Sequence, residues 1–269
     1  MIKKFEELLY TKTKDSPSSI LYAHWNYDKQ VVPLALQAVS TLFPHYSLHD
    51  ESHSVTILNN IVRIIGVEKL EHLSAIDIWL ILEASYNHDL GMVVTSKELR
   101  NTISSRDFIE YFIDLKQDVK HSLHEFAEQF DVEESQILYK NKDINLEYHD
   151  GIKFILAEYF RRTHSNRSRD IITNLDNKIG LSSPRGVIPE RIFDLLGHIC
   201  ASHTRDFLEV LKLPECQVGI DVEDAHPRYV ACLLRLGDLL DLDNNRFSDV
   251  MLRTLSKIPI DTLNHKAKH

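Results

Sequence analysis

Ser74-Ala75-Ile76-Asp77-Ile78-Trp79-Leu80-Ile81-Leu82-Glu83-Ala84-Ser85-Tyr86-Asn87-His88-Asp89-Leu90-Gly91-Met92 is the stretch on which the fold turns. Ser74 with Asp77 three residues later has the form of a capping box. The apolar run behind it predicts a helix to about Asn87. His88 and Asp89 then stand side by side at its end, where adjacent side chains can splay and still reach one metal.

Working outward, the chain reads as helical on both sides. Val31 to Phe43 predicts a helix ended by Pro44, and His53 to Ile65 another, with Gly66 as its stop. Thr95-Ser96-Lys97-Glu98 and Ser104-Ser105-Arg106-Asp107 are two further starts. Asp107 to Asn145 is more polar and predicts helical insertions on the surface. Tyr148 to Arg162 and Ser168 to Ile179 read as two helices, followed by a loop at Leu181-Ser182-Ser183-Pro184-Arg185-Gly186. Pro189 to Ala201 has Pro in a favoured first turn. Leu213 to Glu223 reads as loop or a short strand pair. Asp224-Ala225-His226-Pro227 opens an apolar helix to about Leu242. With 8 Gly and 8 Pro in 269 residues, the turns an all-β fold requires are too few. One compact all-α domain over 1–269 is the expected architecture.

Composition narrows the class. Hydrophobic residues at 43% and charged residues at 26% suit a globular core and exclude bulk disorder. No stretch approaches the roughly 20 apolar residues of a membrane span. The start, Met1-Ile2-Lys3-Lys4-Phe5-Glu6-Glu7, has acids where a signal peptide needs an apolar run. Cys200, Cys216 and Cys232 form no CxxC pair, which suits a reducing cytoplasm. A net charge of −9 gives little hold on duplex nucleic acid. Fifteen histidines without a run are the unusual feature.

Four of these histidines sit on partly apolar faces near helix ends. His53 shares a face with Ile57, Ile61 and Ile64, and His88 with Ile81 and Ala84. His164 follows Ala157 and Phe160, and His203 follows Leu196 and Ile199. His49 and His198 are intermediate, and the rest, including His24, His45 and His226, read as surface or structural. In Leu234-Arg235-Leu236-Gly237-Asp238-Leu239-Leu240-Asp241-Leu242, Asp238 has Leu234 and Leu242 one turn away and is expected on a buried stripe. Asp241 has Gly237, Asn244 and Asn245 at those offsets. It is expected to be wetter, and its substitution nearly silent. A buried carboxylate is costly unless paired or metal-bound, so Asp238 asks for a cation, with Arg235 as the alternative partner.

His53, then His88-Asp89, then Asp238 resembles the H…HD…D signature of the HD-domain metal-dependent phosphohydrolases. The contexts are similar too: His53-Ser54 opening an apolar helix, Asn87-His88-Asp89-Leu90-Gly91-Met92, and Leu234 to Asp241. The resemblance spans about residues 45–245, with N-terminal helices over 1–44 and a C-terminal segment 246–269. It implies an all-α HD bundle with helical insertions. It further implies a binuclear site of His53, His88, Asp89, His164, His203 and Asp238, with Asp89 as bridge. Met92 stands where the branch acting on cyclic dinucleotides often has Lys, and the GYP motif is absent. A closer resemblance is to bacterial HD modules that precede an Hsp90-like ATPase region in a longer chain, supported by Asp243-Asn244-Asn245-Arg246-Phe247 and the segment through Ile258-Pro259.

Imidazole and carboxylate ligands suit Mn, Fe, Zn, Co or Ni, with Mg as a further option. Such an ion supplies hydroxide near neutral pH for attack on phosphorus. His164 or His203 could instead protonate the leaving oxygen. Arg167, Arg205 and Arg161 are the candidates for the substrate phosphate, since guanidinium holds phosphate by paired donors. The alternative is a solvated charge cluster at a helix end. The function expected is hydrolysis of a phosphoester in a nucleotide or related small phosphate. The alternatives are a metal- or nucleotide-binding sensor coupled to an adjoining ATPase domain, and a single-strand nuclease. No zincin, GxSxG, P-loop or dinucleotide motif competes.

Overall fold

A computed structural model describes residues 2–134, 136–140, 146–174, 179–181, 185–186, 188–242 and 247–267. Its helices are α1 (Ile2–Thr13), α2 (Ser19–Leu42), α3 (Glu51–Ile65), α4 (Val67–Leu70), α5 (Ala75–Asn87), α6 (Ser96–Ile103) and α7 (Arg106–Gln117). Then come α8 (His124–Ala127), α9 (Leu146–Thr173), α10 (Glu190–Ala201), α11 (Phe207–Val210), α12 (Pro227–Leu239), α13 (Asp249–Leu252) and α14 (Ile260–Lys266). Two antiparallel pairs, β1 (Phe130–Glu133) with β2 (Gln136–Tyr139) and β3 (Gln217–Val218) with β4 (Asp224–Ala225), are the only strands among the described residues. The all-α expectation holds. No described helix is long and apolar enough to cross a membrane.

The chain divides into two compact units. The first is Met1–Gln37, His49–Val93 and His164–Leu242; the second is Ala38–Leu48, Val94–Thr163 and Asp243–His269.

The first unit is built around α5. Ser74 caps it by accepting from the Asp77 amide, as the capping pattern predicts. All thirteen residues from Ala75 to Asn87 are buried, so this helix is core on every side rather than amphipathic. Helices α1, α3, α10 and α12 pack around it. Two of its polar residues, Asp77 and Ser85, are satisfied by neighbours. Asp77 accepts from the His226 backbone amide (2.8 Å) and faces His226 Nδ1 (2.7 Å), and Ser85 donates to the Ile81 carbonyl. Asn60 of α3 donates to the Gly237 carbonyl of α12, at a close crossing where a Cβ on Gly237 would meet Ile57.

In the second unit Phe108, Phe112, Phe126, Phe130 and Phe154 are buried together with edge-on ring contacts. The segment expected as surface insertions therefore carries a core of its own. It also contains the β1–β2 pairing, Phe130 opposite Tyr139 and Val132 opposite Ile137, in place of continuous helix.

Three boundaries differ from expectation. Helix α2 begins at Ser19 and runs through Pro33, because flanking helical turns tolerate one missing donor. The two helices expected around His164 are one, α9, because Thr163-His164-Ser165-Asn166-Arg167 contains neither Gly nor Pro to break it. Helix α12 stops at Leu239, short of Leu242. Residues 182–184 of the expected loop, the Asp243–Arg246 stretch and residues 175–178 of the helix expected to Ile179 lie outside the described residues.

Candidate metal centre

The centre is assembled in the first unit from the ends of four helices and from an interior position of a fifth, α9. His53 lies in the first turn of α3, whose N-cap Asp50 accepts from the Ser52 amide. His88 and Asp89 follow α5 directly, His164 projects from α9, and His203 lies in a 3-10 turn after α10. Asp238 is in the last turn of α12.

Gly91 sets the geometry of the His-Asp turn. A Cβ there would lie 1.9 Å from the His164 carbonyl oxygen and 2.8 Å from the Ser168 amide, so the turn rests directly on the backbone of α9. Ser168 Oγ accepts from the Gly91 amide (2.8 Å) and donates to the His88 carbonyl (2.5 Å). Arg167 donates to the Gly91 and Val93 carbonyls (2.8 and 3.0 Å). These bonds hold the turn that carries His88 and Asp89 at a fixed height against α9.

Asp89 occupies the middle. Its Oδ2 is 3.1 Å from His88 Nε2, 3.5 Å from His53 Nε2 and 3.6 Å from His49 Nε2. Its Oδ1 is 3.3 Å from His164 Nε2 and 3.7 Å from His203 Nε2. The imidazoles also meet in pairs, His53 and His88 at 3.2 Å between Nε2 atoms and His164 and His203 at 2.9 Å. Asp238 Oδ1 is 3.4 Å from His53 Nε2. Three overlapping groups could hold ions: His53-His88-Asp89, His88-His203-Asp238 and Asp89-His164-His203.

The donor chemistry fits a cation. His203 Nδ1 donates to the Cys200 carbonyl at 2.6 Å, which leaves the Nε2 lone pair facing Asp89's surroundings. Burial, aided by His88 and His164, pushes His203 down to about 3 and keeps it neutral. Burial would raise Asp89. The imidazoles of His88 and His49 and the bonds from His164 and His53 outweigh it and hold the carboxyl well below its usual range. Burial opposes ionisation of His88 too, but Asp89 outweighs it and raises this group. Several lone pairs and an ionised carboxylate thus converge in a buried space.

Two assignments from the sequence reverse. Asp238 has a side chain 32% exposed, whereas Asp241 is buried at 3% and places Oδ2 2.6 Å from His53 Nδ1. The helical stripe argument fails because α12 ends at Leu239. Asp241 lies past the cap, where one-turn offsets no longer describe direction. The expected neighbours Asn244 and Asn245 lie outside the described residues. Arg235 does not pair with Asp238; it donates to the Ser202 carbonyl (2.8 Å) and to that of Arg205. His49, read as intermediate, joins the ring around Asp89. Its place one turn before His53 was the available signal.

The arginines divide. Arg167 has donors committed to backbone, and Arg205 donates to Asn166 Oδ1 at 2.5 Å while remaining half-buried. Arg161 belongs to the second unit, where it pairs with both oxygens of Glu158 at 2.7 Å. A second buried group, His24, Asp28 and Glu83, was absent from the sequence-derived candidates. Burial pushes Glu83 up to about 8 against hydrogen bonds from Asp28 and Asn87.

A helical bundle that brings His53, His88-Asp89 and Asp238 together in this order is an HD-type domain. The HD-CE family model matches residues 43–269, and the chain belongs to that family. No curated protein and no solved structure gives a match.

Proposed function

We propose that this chain is a metal-dependent phosphohydrolase acting on a phosphoester of a nucleotide or related small phosphate. The observation that carries this reading is the position of Asp89, with one oxygen facing His53 and His88 and the other facing His164 and His203. That division suits two divalent ions sharing one carboxylate, with Asp238 completing the His53 side. Mn, Fe, Zn, Co or Ni fits this donor set, and Mg is a further option.

Divalent ions held there would supply hydroxide at neutral pH by lowering the pKa of water to about 7. The protein's own part is orientation and proton handling. Asp241 and the Cys200 carbonyl fix which nitrogens of His53 and His203 face inward. His164, the more exposed of its pair at 12% against 3%, is the proton donor to the leaving oxygen in the alternative arrangement in which it does not ligate an ion. Arg205 is the preferred phosphate contact, because its half-buried guanidinium donates to a neutral side chain, Asn166. Arg167 acts through the turn it braces.

The test is a panel assay with Mn, Co, Ni, Fe and Mg against generic phosphodiesters, nucleotides, cyclic nucleotides and single-stranded nucleic acid. Turnover of a small phosphate, reduced by more than about 100-fold in Asp89→Ala, is the expected result, a ligand being worth at least as much as its outer partners. Cleavage confined to polynucleotide would favour a nuclease. No turnover with any ion, together with nucleotide-induced thermal stabilisation, would favour a sensor coupled to an adjoining ATPase region.

A further inference from the structure

We propose a second, separate divalent-cation site made by His24 and Asp28 of α2 with Glu83 of α5, lined also by Asn87. It serves to fasten α2 to the helix that ends in His88-Asp89.

Sequence spacing is the first argument. His24 and Asp28 are four apart on α2, and Glu83 and Asn87 are four apart on α5, so each helix presents two polar side chains on one face. Two such pairs from neighbouring helices form a four-cornered set of the kind that helical bundles use for metals. The structure brings the corners together. His24 Nδ1 is 2.9 Å from Glu83 Oε1 and 3.7 Å from Asp28 Oδ2, and Asn87 Nδ2 donates to Glu83 Oε2 at 3.0 Å. One ligand atom each from His24, Asp28 and Glu83 lie within 4.8 Å of one another, as ligands around a single ion do.

Burial is the second argument. His24 is 1% exposed, Asp28 5% and Glu83 0%, among Trp79 and Phe193 rings that pack on the imidazole. Two carboxylates in such surroundings are costly unless compensated. Arg185 lines the same space with its guanidinium over the Phe193 ring. A metal ion or a proton held between the two carboxyl groups would lower that cost. A cavity of about 30 Å³ lies beside the group, bordered by His24, Asp28, Asn87 and Arg185 among apolar side chains, with Glu83 outside its lining. Two oxygens and one imidazole nitrogen are a donor set for Zn, Mn, Fe or Co.

The site is independent of the chemistry proposed for Asp89, and its test reads metal rather than turnover. The His88→Ala/Asp89→Ala variant of the full chain, stripped with chelator, is dialysed against Zn²⁺ or Co²⁺ and its bound metal measured. One equivalent should remain, and adding Glu83→Gln should remove it; Asp28→Asn provides the same reading should Glu83→Gln fail to fold. Bound Co²⁺ should show visible d–d absorption that the added substitution abolishes. A folded double variant that retains no metal, or retains it unchanged with Glu83→Gln or Asp28→Asn, would overturn the site and leave a shared proton in its place.

Discussion

Asp89 meets five imidazoles with two oxygens, and the Nε2 atoms of His53 and His88, and of His164 and His203, also face one another. The residue that most controls this ring from outside is Asp241. Its bond to His53 Nδ1 selects the tautomer whose Nε2 lone pair points at Asp89. Asp241→Asn is therefore expected to weaken metal binding by about 10–100-fold, the usual cost of losing such a partner. Calorimetric titration of the stripped protein with Zn²⁺ checks it, and an unchanged affinity would mean that Asp241 is merely a packed side chain. His53, His88-Asp89, His164 and His203 are legible in sequence through inward spacing and the ordered pattern; Asp238 is legible through the ordered pattern alone, its buried stripe being absent. Asp241 is not, because its role depends on where α12 stops. Nor is the His24 group, whose parts lie on two helices far apart in the chain.

At the scale of elements, the contact of the His-Asp turn with α9 is the tightest feature near the centre. A methyl on Gly91 would strike backbone atoms of His164 and Ser168, which cannot rotate away. Gly91→Ala should cost about 3 kcal/mol or more by overpacking, and should lower the melting temperature and metal content together. A variant that melts and binds like the parent would show the turn to be pliant. In the second unit His45 offers a different reading. It is buried against Phe154 and Tyr46, and burial holds it down to about 3 despite Asp150. Unfolded, an imidazole titrates near 6.5. Between those values the unfolded chain binds more protons, so this contribution is intact above pH 6.5 and declines as pH falls towards 3. The decline is about 1.4 kcal/mol per pH unit at most. His45→Gln should flatten the dependence of melting temperature on pH between 7 and 5; an unaltered slope would assign it to other groups. Helix starts at Ser74 and Thr95 are legible because a cap is a local signal, and both side chains accept from the expected amides; the third start caps one residue later than its pattern, at Ser105, which accepts from the Phe108 amide. The β1–β2 pair is not, because it depends on burial of Phe130, whereas the continuity of α9 has a signal in the absence of Gly and Pro from residues 163–167.

For the whole molecule, the centre joins segments distant in sequence, since His53, Asp89, His164, His203 and Asp238 come from five separate stretches of the first unit. An ion that binds them in the folded chain alone stabilises folding by mass action, about 2.7 kcal/mol at a free concentration 100 times the Kd. Chelation should therefore lower the melting temperature, and Zn²⁺ or Mn²⁺ should restore it; a melting curve indifferent to both would detach the histidines from any metal role. The overall charge of −9 does not oppose this, because the acids that matter are few and inward. The most direct measurement is anomalous diffraction from crystals grown or soaked with Mn²⁺ or Zn²⁺. The account predicts peaks on both sides of the Asp89 carboxylate, each about 2.0–2.2 Å from one of its oxygens. An ordered Asp89 with no anomalous peak beside it, in crystals of fully metal-supplied protein, would contradict it.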